Sequence, residues 1–194
     1  MPADMEVIGE RTLHEQKWTV LKEKTYRDRS GRQGSWTYIE RRCGQEAVVI
    51  VALTARSGSL VVIEQFRVPL ERTVAEFPAG LVDSGESPEA AARRELREET
   101  GFEGEILEVG PAVSTTAGLS TETVRMVFMR VAEQPAGEAA PEGAERITVR
   151  VLAPADFEAF LAECRHRKLI LDAKLYLYLR QRVEALSVEE APKG

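Results

Sequence analysis

Histidine and cysteine are nearly missing from this chain of 194 residues, which carries only 2 of each. His14 and His166 both sit in charged surroundings, so a Ser/His/Asp type of hydrolase has little to build on. Cys43 and Cys164 lie far apart and form no metal-type pair; they are expected to be reduced, structural thiols. No apolar run approaches the roughly 18 residues that a membrane span needs. The start MPADMEVIGERTL has neither the basic residues nor the apolar stretch of a signal peptide, and a cytoplasmic location is expected. Basic residues are also in deficit, with 26 Lys+Arg against 32 Asp+Glu and a net charge of −6. That balance argues against a nucleic-acid backbone as the main partner. An acidic protein acts on an anionic substrate when metal ions neutralise its site locally. What remains is ordinary: 43% hydrophobic and 30% charged residues, in a length suited to one packed core.

Along the chain, residues 1–16 are mixed in character and are expected to be poorly ordered. WTVLKEKTY and SWTYIERR flank the turn residues DRSGRQG, so 18–42 reads as a β-hairpin. AVVIVALT (47–54) is a continuous apolar run, as for a strand buried on both faces, and LVVIEQF (60–66) returns as its partner. Val68-Pro69-Leu70 then interrupts the pairing, because proline donates no ladder hydrogen bond. Further strands are expected at 105–113, 123–132 and 147–153, with STTAGLSTE as a loop between the first two. The Pro/Gly/Ala/Glu-rich stretch 134–145 is expected to be a long flexible loop. Helices follow at ADFEAFLAECRHRK and ILDAKLYLYLRQRVEAL, and the tail after them is expected to fray. No internal repeat is evident. Strands, a helix, strands and two helices predict an α+β domain, layered α/β/α around a mixed sheet.

The densest chemistry lies in GLVDSGESPEAAARRELREETGF, from Gly80 to Phe102. Ser87 followed by Pro88 is a helix start, and Gly101 is a natural stop. On that helix Glu95 and Glu99 lie about 40° apart around the axis, with Glu98 about 60° from Glu95 on the other side. Three carboxylates therefore crowd one sector, and Glu86 in the preceding loop is a possible fourth. Like charges so spaced cost an isolated helix a few tenths of a kcal/mol per pair, roughly. Salt bridges to Arg93, Arg94 and Arg97 on a solvated face could offset them. A hard divalent cation such as Mg²⁺ or Mn²⁺, which prefers carboxylate oxygen and water, could do so too. Charge alone favours the salt bridges.

The spacing shifts the balance. Gly80, five residues, Glu86, seven residues, then Arg94-Glu95-Leu96-x-Glu98-Glu99-x-Gly101-Phe102 resembles the Nudix box at every position. Its seven invariant letters coincide by chance on the order of 10⁻⁸ per start position at average residue frequencies. Beyond the box, EQFR (64–67), EFPAGL (76–81) and the Trp18/Trp36 hairpin resemble the ADP-ribose or ADP-sugar pyrophosphatase branch. The wider resemblance covers most of 14–180.

It implies a Nudix fold and Mg²⁺-dependent hydrolysis of ADP-ribose or a related nucleoside diphosphate sugar, with Mn²⁺ as a substitute. Glu95 and Glu99 are then metal ligands, joined by Glu98 and the carbonyl of Ala79, while Glu86 steadies the loop or touches metal through water. Arg94 orients the carboxylates. The general base is placed on a loop before a late strand, in a pattern like E-x-I-x-V. Glu145-Arg146-Ile147-Thr148-Val149 matches it, so Glu145 is the choice and Glu142 the second. Trp18 and Trp36 correspond to aromatics that stack on adenine from different subunits of a swapped homodimer; core packing is the competing reading of each ring. Arg41 and Arg67 match basic residues that hold ribose or phosphate, or else they form surface ion pairs. Glu76, Gly118 and Leu119 complete the implied substrate contacts. Alanine at 117 replaces a proline common in this branch, which widens the range of sugars to be considered. The resemblance also divides the chain into N-terminal strands at 1–45 serving dimerisation and nucleotide stacking, a catalytic domain at 46–185 and a disordered tail at 186–194. A binding module without catalysis is the rival class, but such modules typically lose box glutamates, and all four are kept here.

Overall fold

In a computed structural model, residues 5–42, 46–141 and 146–189 are described, the side chains of 186–189 excepted. Three strands come first: β1 (Met5–Glu15), β2 (Thr19–Asp28) and β3 (Gln33–Arg41), forming an antiparallel sheet in the order β1-β2-β3. The hairpin over 18–42 is therefore present, but the expectation of poor order over residues 1–16 is corrected for Met5–Glu15. Every residue of β1 is exposed, so the strand has no buried face and no hydrophobic alternation that a sequence could display. It is held by ladder bonds to β2 and by polar cross-strand pairs. Glu10 receives Lys22 at 3.2 Å and the Tyr38 hydroxyl at 2.7 Å, and Arg11 bonds Glu23 at 2.8 Å.

The second sheet has 8 strands. In chain order they are β4 (Glu46–Thr54), β5 (Leu60–Arg67), β6 (Arg72–Glu76), β7 (Ala79–Leu81), β8 (Gly104–Ser114), β9 (Thr123–Val131), β10 (Ile147–Leu152) and β11 (Ile170–Leu171). A helix α1 (Pro88–Thr100) separates β7 from β8, α2 (Phe157–Arg167) precedes β11, and α3 (Ala173–Glu189) closes the described chain. The order is β11-β6-β5-β4-β9-β8, with β10 added on β5 and β7 on β4. β4 and β9 are parallel and β11 is parallel to β6; the other pairs are antiparallel, so the sheet is mixed as expected.

β4 is the centre. Val48, Ile50 and Ala52 pack with Ala91, Ala92 and Leu96 of α1, while Val49 and Val51 join Phe157, Phe160, Leu175 and Leu179 of α2 and α3. That two-sided burial is why its sequence reads as an unbroken apolar run. The edge of β4 that does not carry β9 is divided: Ala47–Val49 pair with β7, and Ala52 and Leu53 pair with β5. The sheet forks there, and the fork holds the site.

Val68–Leu70 forms a 3-10 turn where Pro69 breaks the ladder. The last helix begins at Ala173, three residues later than its apolar pattern, because Ile170 and Leu171 are drawn into pairing with Val74 and Ala75. Residues 134–141 contain no regular element but are tied to the end of α1. The Ala136 N–H bonds the Gly101 carbonyl at 2.9 Å, and Ala140 bonds the Glu98 carbonyl at 2.8 Å. Among the described residues no helix is long and apolar enough to cross a membrane.

Behind β5, buried Glu64 receives Arg167 at 2.7 Å and Arg150 at 2.9 Å, and both arginines also bind Glu163. The ions fix α2 and β10 to β5, and they face Cys164, whose thiol is pushed up to about 11, chiefly by burial. This agrees with an inert structural cysteine; Cys43 lies outside the described residues. Hydrogen bonds from Arg150, and then Arg167, hold the Glu163 carboxyl down at about 2, below its ordinary 4.5. A carboxyl depressed in the folded state stabilises above its unfolded value, and that contribution is lost as pH falls from 4.5 toward about 2. The melting temperature of Glu163→Gln should therefore fall less steeply than that of the wild type between about pH 5 and pH 3. Parallel slopes in calorimetry at the two extremes would contradict the network's role.

Candidate active site

α1 is started by Ser87, whose side chain accepts from the Ala90 N–H at 3.2 Å, with Pro88 in the first turn. It is stopped by Gly101, which adopts φ 73 and bonds the Arg97 carbonyl. Ala91, Ala92 and Leu96 anchor one face in the core and so fix the rotation of the helix. Glu95, Glu98 and Glu99 are thereby turned toward β7 and a cleft of about 770 Å³.

One guanidinium organises these carboxylates. Arg94 grips Glu86 through two nitrogens at 3.1 and 2.9 Å, Glu95 at 2.7 Å and Glu98 at 3.3 Å. It also donates to the Leu81 carbonyl at 3.0 Å, which ties α1 to the end of β7. Glu86 in turn accepts from the Asp83 N–H at 3.2 Å, closing the loop between strand and helix. The Arg94 guanidinium beside Glu86 holds that carboxyl below the usual carboxylate range. Glu86 first, then Glu95, push the arginine's own pKa further up. Glu99 is buried and accepts from the Ala79 N–H at 3.0 Å. Arg93 and Arg97 turn elsewhere, to the Glu89 carbonyl and to Glu103. The offset to the crowded glutamates comes from one arginine rather than three.

Gly80 accounts for the first letter of the motif. A Cβ there would come within 1.9 Å of the Glu95 carboxyl carbon, so the backbone of β7 and that carboxylate occupy adjoining space only because the side chain is a hydrogen.

The cleft brings together most of the residues singled out from the sequence: Trp18, Arg41, Arg67, Glu76, Ala79, Arg94, Glu95, Glu98 and Glu99 all line it. Glu86 stands behind Arg94 rather than in the wall. Arg41 is paired with Glu122, and Arg67 with Glu76 at 2.8 Å. The tryptophans are not core residues: Trp18 is 62% and Trp36 53% exposed. Trp36 does not line the cleft. Its indole N–H donates to the Gly118 carbonyl at 2.8 Å, and the Ile39 N–H donates to the Leu119 carbonyl at 2.8 Å, so β3 is stitched to the loop carrying Gly118 and Leu119. Glu142 and Glu145 lie outside the described residues. Glu122, Asp172 and Lys174 also line the cleft and were not read from the sequence, although an aspartate directly before an amphipathic helix is a capping signal.

Carboxylate oxygens along one helix face are the donor type a hard dication takes. Among the described residues no three acidic, histidine or cysteine side chains are already gathered closely enough to hold one. The cause is visible: Arg94 draws Glu95 and Glu98 to itself, and Glu99 is turned to a backbone N–H. The donors fit a divalent ion by chemistry.

A mixed sheet between helices, with a glycine turn leading into an acidic helix beside an open cleft, defines a metal-assisted hydrolase of the Nudix kind. Residues 44–173 match the NUDIX domain model, and the chain belongs to the NUDIX family of hydrolases. It is 35% identical over 184 residues to an ADP-sugar pyrophosphatase of Mus musculus, covering 89% of this chain and 84% of that protein. An ADP-ribose pyrophosphatase of Saccharomyces cerevisiae is 31% identical over 141 residues, 67% of this chain and 61% of the other. The fold is similar to a crystal structure of an ADP compounds hydrolase, with a TM-score of 0.72, 20% identity and 98% of each chain covered.

Replacing Arg94 by Met should cost about 2 kcal/mol in urea denaturation, the larger penalty for a buried pair being reduced because the side chain is 30% exposed. Added divalent cation should recover more stability in this variant than in the wild type. Equal unfolding midpoints without metal would contradict the clamp.

Proposed function

We propose that this Nudix hydrolase cleaves the pyrophosphate bond of ADP-ribose or a related nucleoside diphosphate sugar, giving a nucleoside monophosphate and a sugar phosphate. The observation that carries the reading is the convergence on one cleft of the Glu95, Glu98 and Glu99 carboxylates with Trp18, Arg41 and Arg67. An acidic helix suits a cation, an exposed indole suits a base, and arginines suit phosphates. The names of the mouse and yeast relatives support the substrate class.

Glu95, Glu98 and Glu99, with the Ala79 carbonyl, would hold Mg²⁺, and Glu86 with Arg94 keeps them in place. When bound, the ion neutralises the diphosphate oxygens and acidifies a water. Water oxygen adds to one phosphorus, the bond from that phosphorus to the bridging oxygen breaks, and the second phosphate leaves with the electron pair. The water proton passes to a carboxylate, for which Glu145 is proposed and Glu142 is the alternative. Pro141 lines the cleft, one residue before Glu142, which supports a base from that segment. The protein is proposed to work in the cytoplasm as a homodimer. Met5, Val7 and Leu13 on the wholly exposed β1, together with exposed Phe66, Val68 and Leu70, offer apolar surface to a second copy. The Trp36 ring, outside its own cleft, is assigned to the cleft of that copy.

A kcat/KM panel over ADP-ribose, ADP-glucose, GDP-mannose, UDP-glucose, NADH and diadenosine polyphosphates, with Mg²⁺, tests the reading. ADP-ribose or another nucleotide sugar should lead. Glu99→Gln should lower that turnover by about 10²-fold or more while the circular dichroism spectrum is kept. Release of no nucleoside monophosphate from any sugar substrate, or near-normal turnover in Glu99→Gln, would overturn it.

A further inference from the structure

The cleft has a fourth cation. Each arginine in its lining has a carboxylate partner already described, and Lys174 repeats the pattern, its ammonium 2.8 Å from Asp172. The pair stands on the β11–α3 side. Because β11 runs parallel to β6 with Leu171 beside Ala75, and the Asp172 N–H bonds the Ala75 carbonyl at 2.9 Å, Asp172 falls next to Glu76 in register. Lys174 is thus delivered to the wall that carries Arg67 and Glu76.

Folding gives no reason for a lysine at that place. Asp172 is placed to cap α3, its Oδ1 accepting from the Lys174 N–H at 2.9 Å. A cation in the first turn of a helix opposes the positive end of the macrodipole. Its ion pair is partly solvated, the lysine side chain being 31% exposed, and pairs of that kind contribute little. The residue spans two positions of the chain to reach its partner and lines the cleft.

We propose that Lys174 is a substrate-binding residue whose ammonium transfers from Asp172 to an anionic phosphate oxygen of the bound nucleoside diphosphate sugar; the inference rests on the pyrophosphatase reading. A flexible stem with a compact, rotatable charge suits that exchange. Asp172 is the resting partner, and its attachment to the α3 backbone keeps the ammonium at the wall until an anion replaces it.

The test measures binding of α,β-methylene ADP-ribose with Mg²⁺ by calorimetry, and KM and kcat for the substrate that leads the panel, in wild type, Lys174→Met and Lys174→Arg. Lys174→Met should raise both Kd and KM by about tenfold, with kcat within about twofold and an unchanged melting temperature. The difference should narrow as salt is raised, and Lys174→Arg should recover most of the affinity. Wild-type protein that binds the analogue while Lys174→Met binds it equally well would overturn the role of Lys174 and leave the pyrophosphatase reading standing. A loss in Lys174→Met that tracks a lower melting temperature and is unaffected by salt would also overturn it, in favour of a structural role. Wild-type protein that neither binds the analogue nor turns over any nucleotide sugar would overturn both.

Discussion

The clamp of Arg94 on Glu86, Glu95 and Glu98 is the interaction on which the site depends. These three acidic side chains, one on a loop and two on a helix, would otherwise repel or drift apart. A single planar guanidinium, with donors in a fixed fork, holds a loop carboxylate, two helix carboxylates and the carbonyl of Leu81 at once. It converts an electrostatic liability into a positioned set of oxygen donors. The core faces of β4 and α1 set the rotation of the helix, Gly80 lets β7 approach it, and Gly101 ends it where the chain must turn back to β8.

The same economy recurs around the cleft. Arg41 with Glu122, Arg67 with Glu76 and Lys174 with Asp172 place cations at the wall without leaving them uncompensated before a ligand arrives. An acidic protein can in this way present positive groups to an anion while keeping its own folded state quiet. The forked sheet supplies the room: β4 exchanges β7 for β5 along one edge, and the cleft occupies the divergence.

Much of this was legible in the sequence, for identifiable reasons. β4 buries both faces and so reads as an apolar run; α1 carries a cap, a proline and a stop glycine at the right intervals. The box residues were legible because their spacing resembles the Nudix box, whereas charge and helix geometry alone favoured salt bridges on a solvated face. β1 was not, since a strand without a buried face leaves no periodic trace. β6, β7 and β11 escaped because each is short and defined by its partners rather than by its own pattern. Asp172 and Lys174 reach the cleft only through the pairing of β11 with β6, a long-range event with no local signature. Core packing was the competing reading of the two strand tryptophans, and the exposed rings contradict it.

The central claim is that the α1 carboxylates held by Arg94 are the cation site. Electron paramagnetic resonance of Mn²⁺, titrated into the protein with a non-hydrolysable ADP-ribose analogue, reads it directly. The account predicts that wild-type protein depletes the free-ion signal, and that Glu95→Gln weakens the ion's affinity by about tenfold or more while the fold is kept. Equal Mn²⁺ binding by the two proteins would contradict it.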